Sequence, residues 1–148
     1  MATVKPIPDG YHTITPYLLT TDAAALLDFL KRGFGAQEFF VHKTPDGRIS
    51  HAEAKIGDSM IMMGEPPDKK AMPSSIYLYV PDVDATYRSA TTAGAQTITA
   101  PKDQFYGDRT ATIKDSLGNL WYIGTHIEDV TPEEMARRAQ QQAQQAQV

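Results

Sequence analysis

A run of identities at a constant interval constrains this chain more than any single motif does. A shift of 60 residues places Tyr17 on Tyr77, Leu18 on Leu78, Asp22 on Asp82, Ala25 on Ala85 and Gly64 on Gly124. A shift of 59 places Gly35-Ala36-Gln37 on Gly94-Ala95-Gln96. The matches keep their order and drift by one residue, as a duplicated unit with a small loop deletion would. Such a repeat is one supersecondary unit, so the chain is expected to hold two copies of one plan.

Local patterning supplies the plan. In the first copy ITPYLL, Ile14 to Leu19, is a short apolar strand that stops at Thr20-Thr21-Asp22. Asp22 or Thr21 can cap a helix, and Leu26, Phe29, Leu30 and Phe34 recur at three- and four-residue spacing before Gly35 ends it. AQEFFVH, RISHAEAKI and SMIMMG then read as strands, parted by turns at Pro45-Asp46-Gly47 and Gly57-Asp58. The second copy repeats the order: SIYLYV, a helix opened by Pro81-Asp82 and closed by Gly94, then strands at QTITA, RTATIK and NLWYIG, the last preceded by a turn at Asp115-Ser116-Leu117-Gly118-Asn119. Both copies are βαβββ.

The sequence predicts one domain over residues 1–130, with repeat one at about 12–66 and repeat two at about 74–126, and a helical tail over 131–148. Thr131-Pro132-Glu133-Glu134 is a capping box with proline at the first helical position, and MARRAQQQAQQAQV continues it almost without an apolar stripe. An exposed helix is expected there.

A chain of 148 residues suits one compact domain, which at this size buries about 70% of its unfolded surface. The net charge of −4 and the lack of a Lys/Arg run give no footprint for nucleic acid or an anionic membrane. Cysteine is absent, so disulfides, thiolate metal sites and cysteine nucleophiles are excluded. No stretch approaches the roughly 18 apolar residues of a membrane span, and the start MATVKPIPDGYHT lacks the pattern of an export signal. A cytoplasmic protein is expected.

The duplicated βαβββ unit resembles the vicinal oxygen chelate superfamily of glyoxalases, extradiol dioxygenases and bleomycin- and fosfomycin-resistance proteins. TPYLL, GFGA, PDGRISHAEAKIGDSMIMM, LYVPDVDATY, AGAQ, DQFYGDR, DSLGNLW and THIEDVTPEEMARR, taken in order, are similar to its PhnB-like glyoxalase/bleomycin-resistance branch. The resemblance implies an α+β fold in which two βαβββ repeats form a cup-shaped mixed sheet with helices outside. It also implies a homodimer and a small-molecule ligand in the cup.

In metal-dependent relatives four ligands come from the first and last strand of each unit. Those positions correspond here to Thr15, Met62, Ser75 and Tyr122, which lack the carboxylates and imidazoles that a divalent ion needs. A metal-free pocket is the preferred reading. The alternative is a lyase, isomerase or dioxygenase-like enzyme with a divalent metal or an acid–base pair at His51 and Glu53, two apart on one strand face, and with Glu38, Asp108 or His126 completing a metal's ligand set.

Strand alternation then names the cup wall. Tyr17, Leu19, Met60, Met62, Tyr77, Tyr79 and Tyr122 face the cup, while Leu18, Ile61, Met63, Ile76, Leu78, Val80, Trp121 and Ile123 face the helices. Tyrosine and methionine walls suit an aromatic or amphipathic ligand. The same residues could instead fill a core or a dimer interface. Tyr106, Asp108 and Arg109 of DQFYGDR form a candidate rim for an anionic or carbonyl group, with Arg109 as a fork donor, although Gly107 can equally mark a bulge and Arg109 pair with Glu53 or Asp108. His12, His42 and His126 read as hydrogen-bonded fixtures, with Thr125 and His126 anchoring the tail. No nucleophile triad or phosphate loop can be assigned.

Overall fold

The computed structural model describes residues 3–147. Met1, Ala2 and Val148, the ends of the expected domain and tail, lie outside the described residues. The first unit comprises β1 (Tyr17–Leu19), α1 (Ala23–Phe34), β2 (Gln37–Lys43), β3 (Ile49–Ile56) and β4 (Ser59–Gly64). The second comprises β5 (Ser75–Tyr79), α2 (Val83–Thr92), β6 (Gln96–Asp103), β7 (Asp108–Lys114) and β8 (Leu120–His126), and α3 (Pro132–Gln145) follows.

Each unit makes a four-stranded mixed sheet, in the orders β1-β4-β3-β2 and β5-β8-β7-β6. The first strand runs parallel to the last, and the other pairs are antiparallel. Tyr17 pairs with Met62 and Tyr77 with Tyr122, so the register obeys the 60-residue interval. The fold is the expected α+β repeat of βαβββ units with a C-terminal helix.

The one-residue drift has a physical location. Asp22 and Asp82 cap the two helices by accepting from the amides of Ala25 and Ala85 at 2.9 and 3.2 Å. At the other end, Ala36 N–H reaches back to Leu30 O, whereas Ala95 N–H reaches only to Ala90 O. The span closed at the end of the second helix is therefore one residue shorter, in a Schellman turn with Gly94 at φ +107°. The residue is regained between β7 and β8, where a five-residue turn replaces Gly57-Asp58.

The predicted first strand is shorter than its apolar run. Pro16 has no N–H to contribute, Thr15 turns its hydroxyl back to His12 O at 3.1 Å, and Ile14 is 85% exposed. The helix-facing set is as expected: Leu18, Ile61, Met63, Trp121 and Ile123 are buried, and Ile76, Leu78 and Val80 pack against them. The core continues between the units, where α1 and α2 approach closely enough that a Cβ at Gly33 would stand 3.4 Å from the Ala90 backbone, and Phe34 meets Trp121 edge-on at 4.9 Å. Among the described residues, no strand of one sheet approaches a strand of the other. The helices join the units, and the opposite face of each sheet is open.

α3 begins as predicted, with Thr131 accepting from Glu134 N–H at 3.2 Å and Pro132 in the first turn. The Glu134 carboxylate does not close a capping box. It accepts from Arg137 and Arg138, which hold it down at about 2.

Candidate functional site

Tyrosines stand on both open faces, with Tyr17, Tyr77, Tyr79 and Tyr122 exposed by 49, 42, 64 and 39%. Alternation along β5 and β8 directs them there, because Ile76, Leu78, Trp121 and Ile123 take the helix side. What holds Tyr17, Tyr77 and Tyr79 is an arrangement spanning three strands.

In the second sheet β8 lies between β5 and β7. Tyr77 and Tyr79, on β5, reach over β8 and donate their hydroxyls to the same oxygen of Asp108 on β7, at 2.8 and 3.0 Å. The crossing is possible because residue 124 is glycine: a Cβ there would stand 2.5 Å from the Tyr77 hydroxyl. Asp108 is 3% exposed. Its other oxygen faces His126 Nδ1 at 2.9 Å, and His126 Nε2 faces Asp129 at 2.7 Å. Burial would push Asp108 up, but the bonds from His126, Tyr77 and Tyr79 outweigh it and hold the carboxyl below its ordinary range. Burial and then Asp108 push Tyr77 far up, and the bond to Asp108 followed by burial raises Tyr79, so both phenols keep their protons. Asp129 first and Asp108 second raise His126, favouring the imidazolium.

The first sheet repeats the device with other partners. Tyr17 on β1 crosses β4 at Gly64, where a Cβ would overlap its hydroxyl, and meets His51 on β3, ring against ring at 5.7 Å and oxygen to Nδ1 at 3.5 Å. Glu53, beside Met62 in register, accepts from Tyr11 at 2.6 Å. Burial and then Glu53 push that phenol up to about 12.

The structure thus brings Tyr17, Met62, His51 and Glu53 together on one sheet and Tyr77, Tyr79 and Tyr122 together on the other. Tyr106 sits in the turn before β7, its ring against Phe105. Arg109 belongs to the opposite face: it grips Asp84 of α2 with two nitrogens at 2.8 and 3.1 Å and Asp103 at 2.9 Å. It ties α2 to the sheet, the structural role open to it in the sequence, with Asp84 and Asp103 in place of Glu53 or Asp108. His126 does engage the tail side through Asp129, and the Thr125 hydroxyl donates to Val80 O at 2.8 Å. Tyr11 and the two crossing glycines were missed as parts of the site. The glycines carried a signal, since Gly64 and Gly124 match at the interval that matches Tyr17 and Tyr77.

The four positions of the superfamily's metal ligands do not fit a divalent ion. Thr15 is turned onto its own backbone, and Met62, Ser75 and Tyr122 offer a thioether, a hydroxyl and a phenol. Among the described residues, no three His, Asp or Glu side chains converge as a metal site. The alternative set is dispersed: Glu38 pairs with Lys31 at 3.2 Å, and Asp108 and His126 belong to the other sheet.

Two surface depressions lie away from these faces. One of about 480 Å³ lies against α1 and α2, beside Arg32 and Arg88, and one of about 460 Å³ lies beside Asp22, Arg48 and Glu65. Neither is lined by the tyrosines.

Comparison with known proteins agrees with this geometry. Residues 11–123 match the family model described as the Glyoxalase/Bleomycin resistance protein/Dioxygenase superfamily. The uncharacterized protein Mb0911c of Mycobacterium bovis is 32% identical over 134 residues, covering 82% of this chain and 88% of its own length. Among solved structures, TioX from Micromonospora sp. ML1 superposes with a TM-score of 0.69 at 24% identity, covering 78% of this chain and 99% of its own. A superfamily member from Sphaerobacter thermophilus gives 0.63 at 19%, covering 77 and 96%. The repeated units, the parallel pairing of first and last strands and the match over most of the chain lead to one conclusion: the chain belongs to the glyoxalase/bleomycin resistance protein/dioxygenase superfamily.

Proposed function

We propose that this chain is a cytoplasmic small-molecule-binding protein of the PhnB-like branch, which works without a metal and holds an aromatic or amphipathic ligand against its tyrosine faces. The observation that carries the reading is the fixing of exposed aromatic rings by buried polar partners. Tyr77 and Tyr79 keep their rings in solvent while Asp108 immobilises their hydroxyls. Rings meant only as filler would be covered, whereas pre-ordered exposed rings reduce the entropy lost on binding. A homodimer belongs to the same reading: each open sheet supplies one wall of a cup, and a second copy supplies the other.

A second reading, an acid–base enzyme using His51 and Glu53, is favoured by one feature. His51 Nε2 has no hydrogen-bond partner among the described residues, which leaves one ring nitrogen open to a ligand on that face.

Thermal-shift screening against aromatic and amphipathic compounds, on protein purified without chelator, tests both. The expected result is a compound that raises the melting temperature of the wild type but not of Tyr77→Ala, with no stoichiometric metal. A bound metal lost in His51→Ala, or turnover of the compound that depends on His51, would overturn the binding-protein reading.

A further inference from the structure

A phenol carries one hydrogen, and where it goes decides what the oxygen can offer a ligand. Both Tyr77 and Tyr79 send theirs to a single oxygen of Asp108, at 2.8 and 3.0 Å. An ionised carboxylate cannot donate, so the direction of both bonds is fixed. Toward the open face, these two oxygens then present lone pairs alone, made richer by the charge behind them. Tyr11 is committed in the same way to Glu53, at 2.6 Å. These three hydroxyls are therefore acceptors toward the open faces, although tyrosine hydroxyls ordinarily serve in both roles.

The surrounding charge has the same sense. Arg109, next to Asp108 in sequence, is turned to the other face and neutralised by Asp84 and Asp103. His126 is held between Asp108 and Asp129 and has both ring nitrogens occupied. Lys102, in register with Thr110, stands on the outer strand β6, with β7 and β8 between it and the tyrosines of β5. The rings of Tyr77 and Tyr79, 4.9 Å apart and tilted by 49°, add two electron-rich faces.

We infer that the Tyr77–Tyr79 face recognises a cationic nitrogen group, an ammonium or amidinium borne on an aromatic or apolar body, through phenol oxygens backed by the buried Asp108 carboxylate. A carboxylate or carbonyl ligand would meet lone pairs with lone pairs, and selection against it follows from the same hydrogens. The inference rests on the small-molecule reading and adds the charge of the ligand to it.

Three isosteric probes separate the cases: benzamidine, benzamide and benzoate, titrated into the full chain at pH 7.5 with tyrosine resonances followed by NMR. Benzamidine is expected to bind at least tenfold more tightly than benzamide, with benzoate silent. Tyr79→Phe, at an exposed ring that tolerates the change, should reduce that preference severalfold, and Asp108→Asn, with its fold checked by circular dichroism, should abolish it. Equal or tighter binding of benzamide or benzoate overturns the inference and leaves the small-molecule reading standing. So does a compound from the thermal-shift panel that binds while benzamidine does not, or a benzamidine preference unchanged in Tyr79→Phe. Failure of the probes and of the whole panel to bind overturns both.

Discussion

Tyr77 reaches Asp108 only because residue 124 has no side chain. Gly124 lies in an ordinary strand conformation, so alanine there meets no backbone strain; the obstacle is the tyrosine, with the hydroxyl 2.5 Å and a ring carbon 2.9 Å from a new Cβ. Gly124→Ala should lift the ring, break the 2.8 Å bond to Asp108 and lower stability by about 1–3 kcal/mol, the cost of a buried acceptor losing a donor. In a Tyr77→Phe background the same substitution should cost less, and a double-mutant cycle from urea unfolding reads that coupling. A second residue-scale prediction concerns pH. Asp108 is depressed below 3.8, so its contribution is complete above that value and lost as pH falls through the lower folded value. His126 is raised above 6.5, so its contribution is complete below 6.5 and lost as pH rises through the higher folded value. The cluster should thus contribute most between about pH 4 and 6.5. NMR titration should place the His126 midpoint above 6.5, and Asp129→Asn should move it down; a midpoint at 6.5 in both proteins contradicts the bridging geometry.

At the scale of elements, strands and helices were legible wherever local patterning and packing agree. The helix caps at Asp22 and Asp82 and the apolar side of β1, β4, β5 and β8 were readable because burial on one face imposes alternation. Partners across strands were not readable. DQFYGDR looked like a single polar rim, yet Asp103 ends β6, Gly107 makes the turn at φ +98°, and Asp108 and Arg109 open β7 toward opposite faces. Alternation separates those neighbours, but which one meets tyrosines depends on strand order, which spacing does not encode. The Asp115 turn is similar: recognised as a turn, it also buries a carboxylate that accepts from the Leu117 and Asn119 amides and from the Trp121 indole at 2.8 Å. α3 supplies the prediction at this scale. Its hold on the body is Arg138, which reaches Phe105 O at 3.3 Å and Glu128 at 2.7 Å, while Gly107 O accepts from Ile127 and Glu128 amides. No residue of α3 is buried. Arg138→Ala should leave the melting temperature within about 2 °C, since exposed pairs contribute little. Hydrogen exchange along 132–145 should nevertheless accelerate, and an unchanged exchange rate would show that other contacts hold the helix.

Considered whole, the molecule has used its helices to join its two halves, and this decides what its sheets can do. α1 and α2 lie against each other over a shared core, so each sheet turns one face inward to a helix and leaves the other uncovered. Those uncovered faces carry the exposed rings of Tyr17, Phe40, Tyr77, Tyr79 and Tyr122, with Phe39 and Ile98 at bulged edges, and exposed apolar surface of this kind marks contact sites. One chain cannot fold the two faces onto each other without separating the helices, but two chains can each offer a face to the other. The expected result is a dimer of 16.3 kDa protomers in sedimentation velocity at micromolar concentration. Phe40→Asp, at a half-exposed ring beside Glu53 in register, should shift the boundary to monomer while circular dichroism stays native. If the cup is built from two chains, the monomeric variant should also lose ligand-induced stabilisation, although Tyr77, Tyr79 and Asp108 are untouched. Retained binding by a monomer would assign the whole site to one open sheet and separate assembly from recognition.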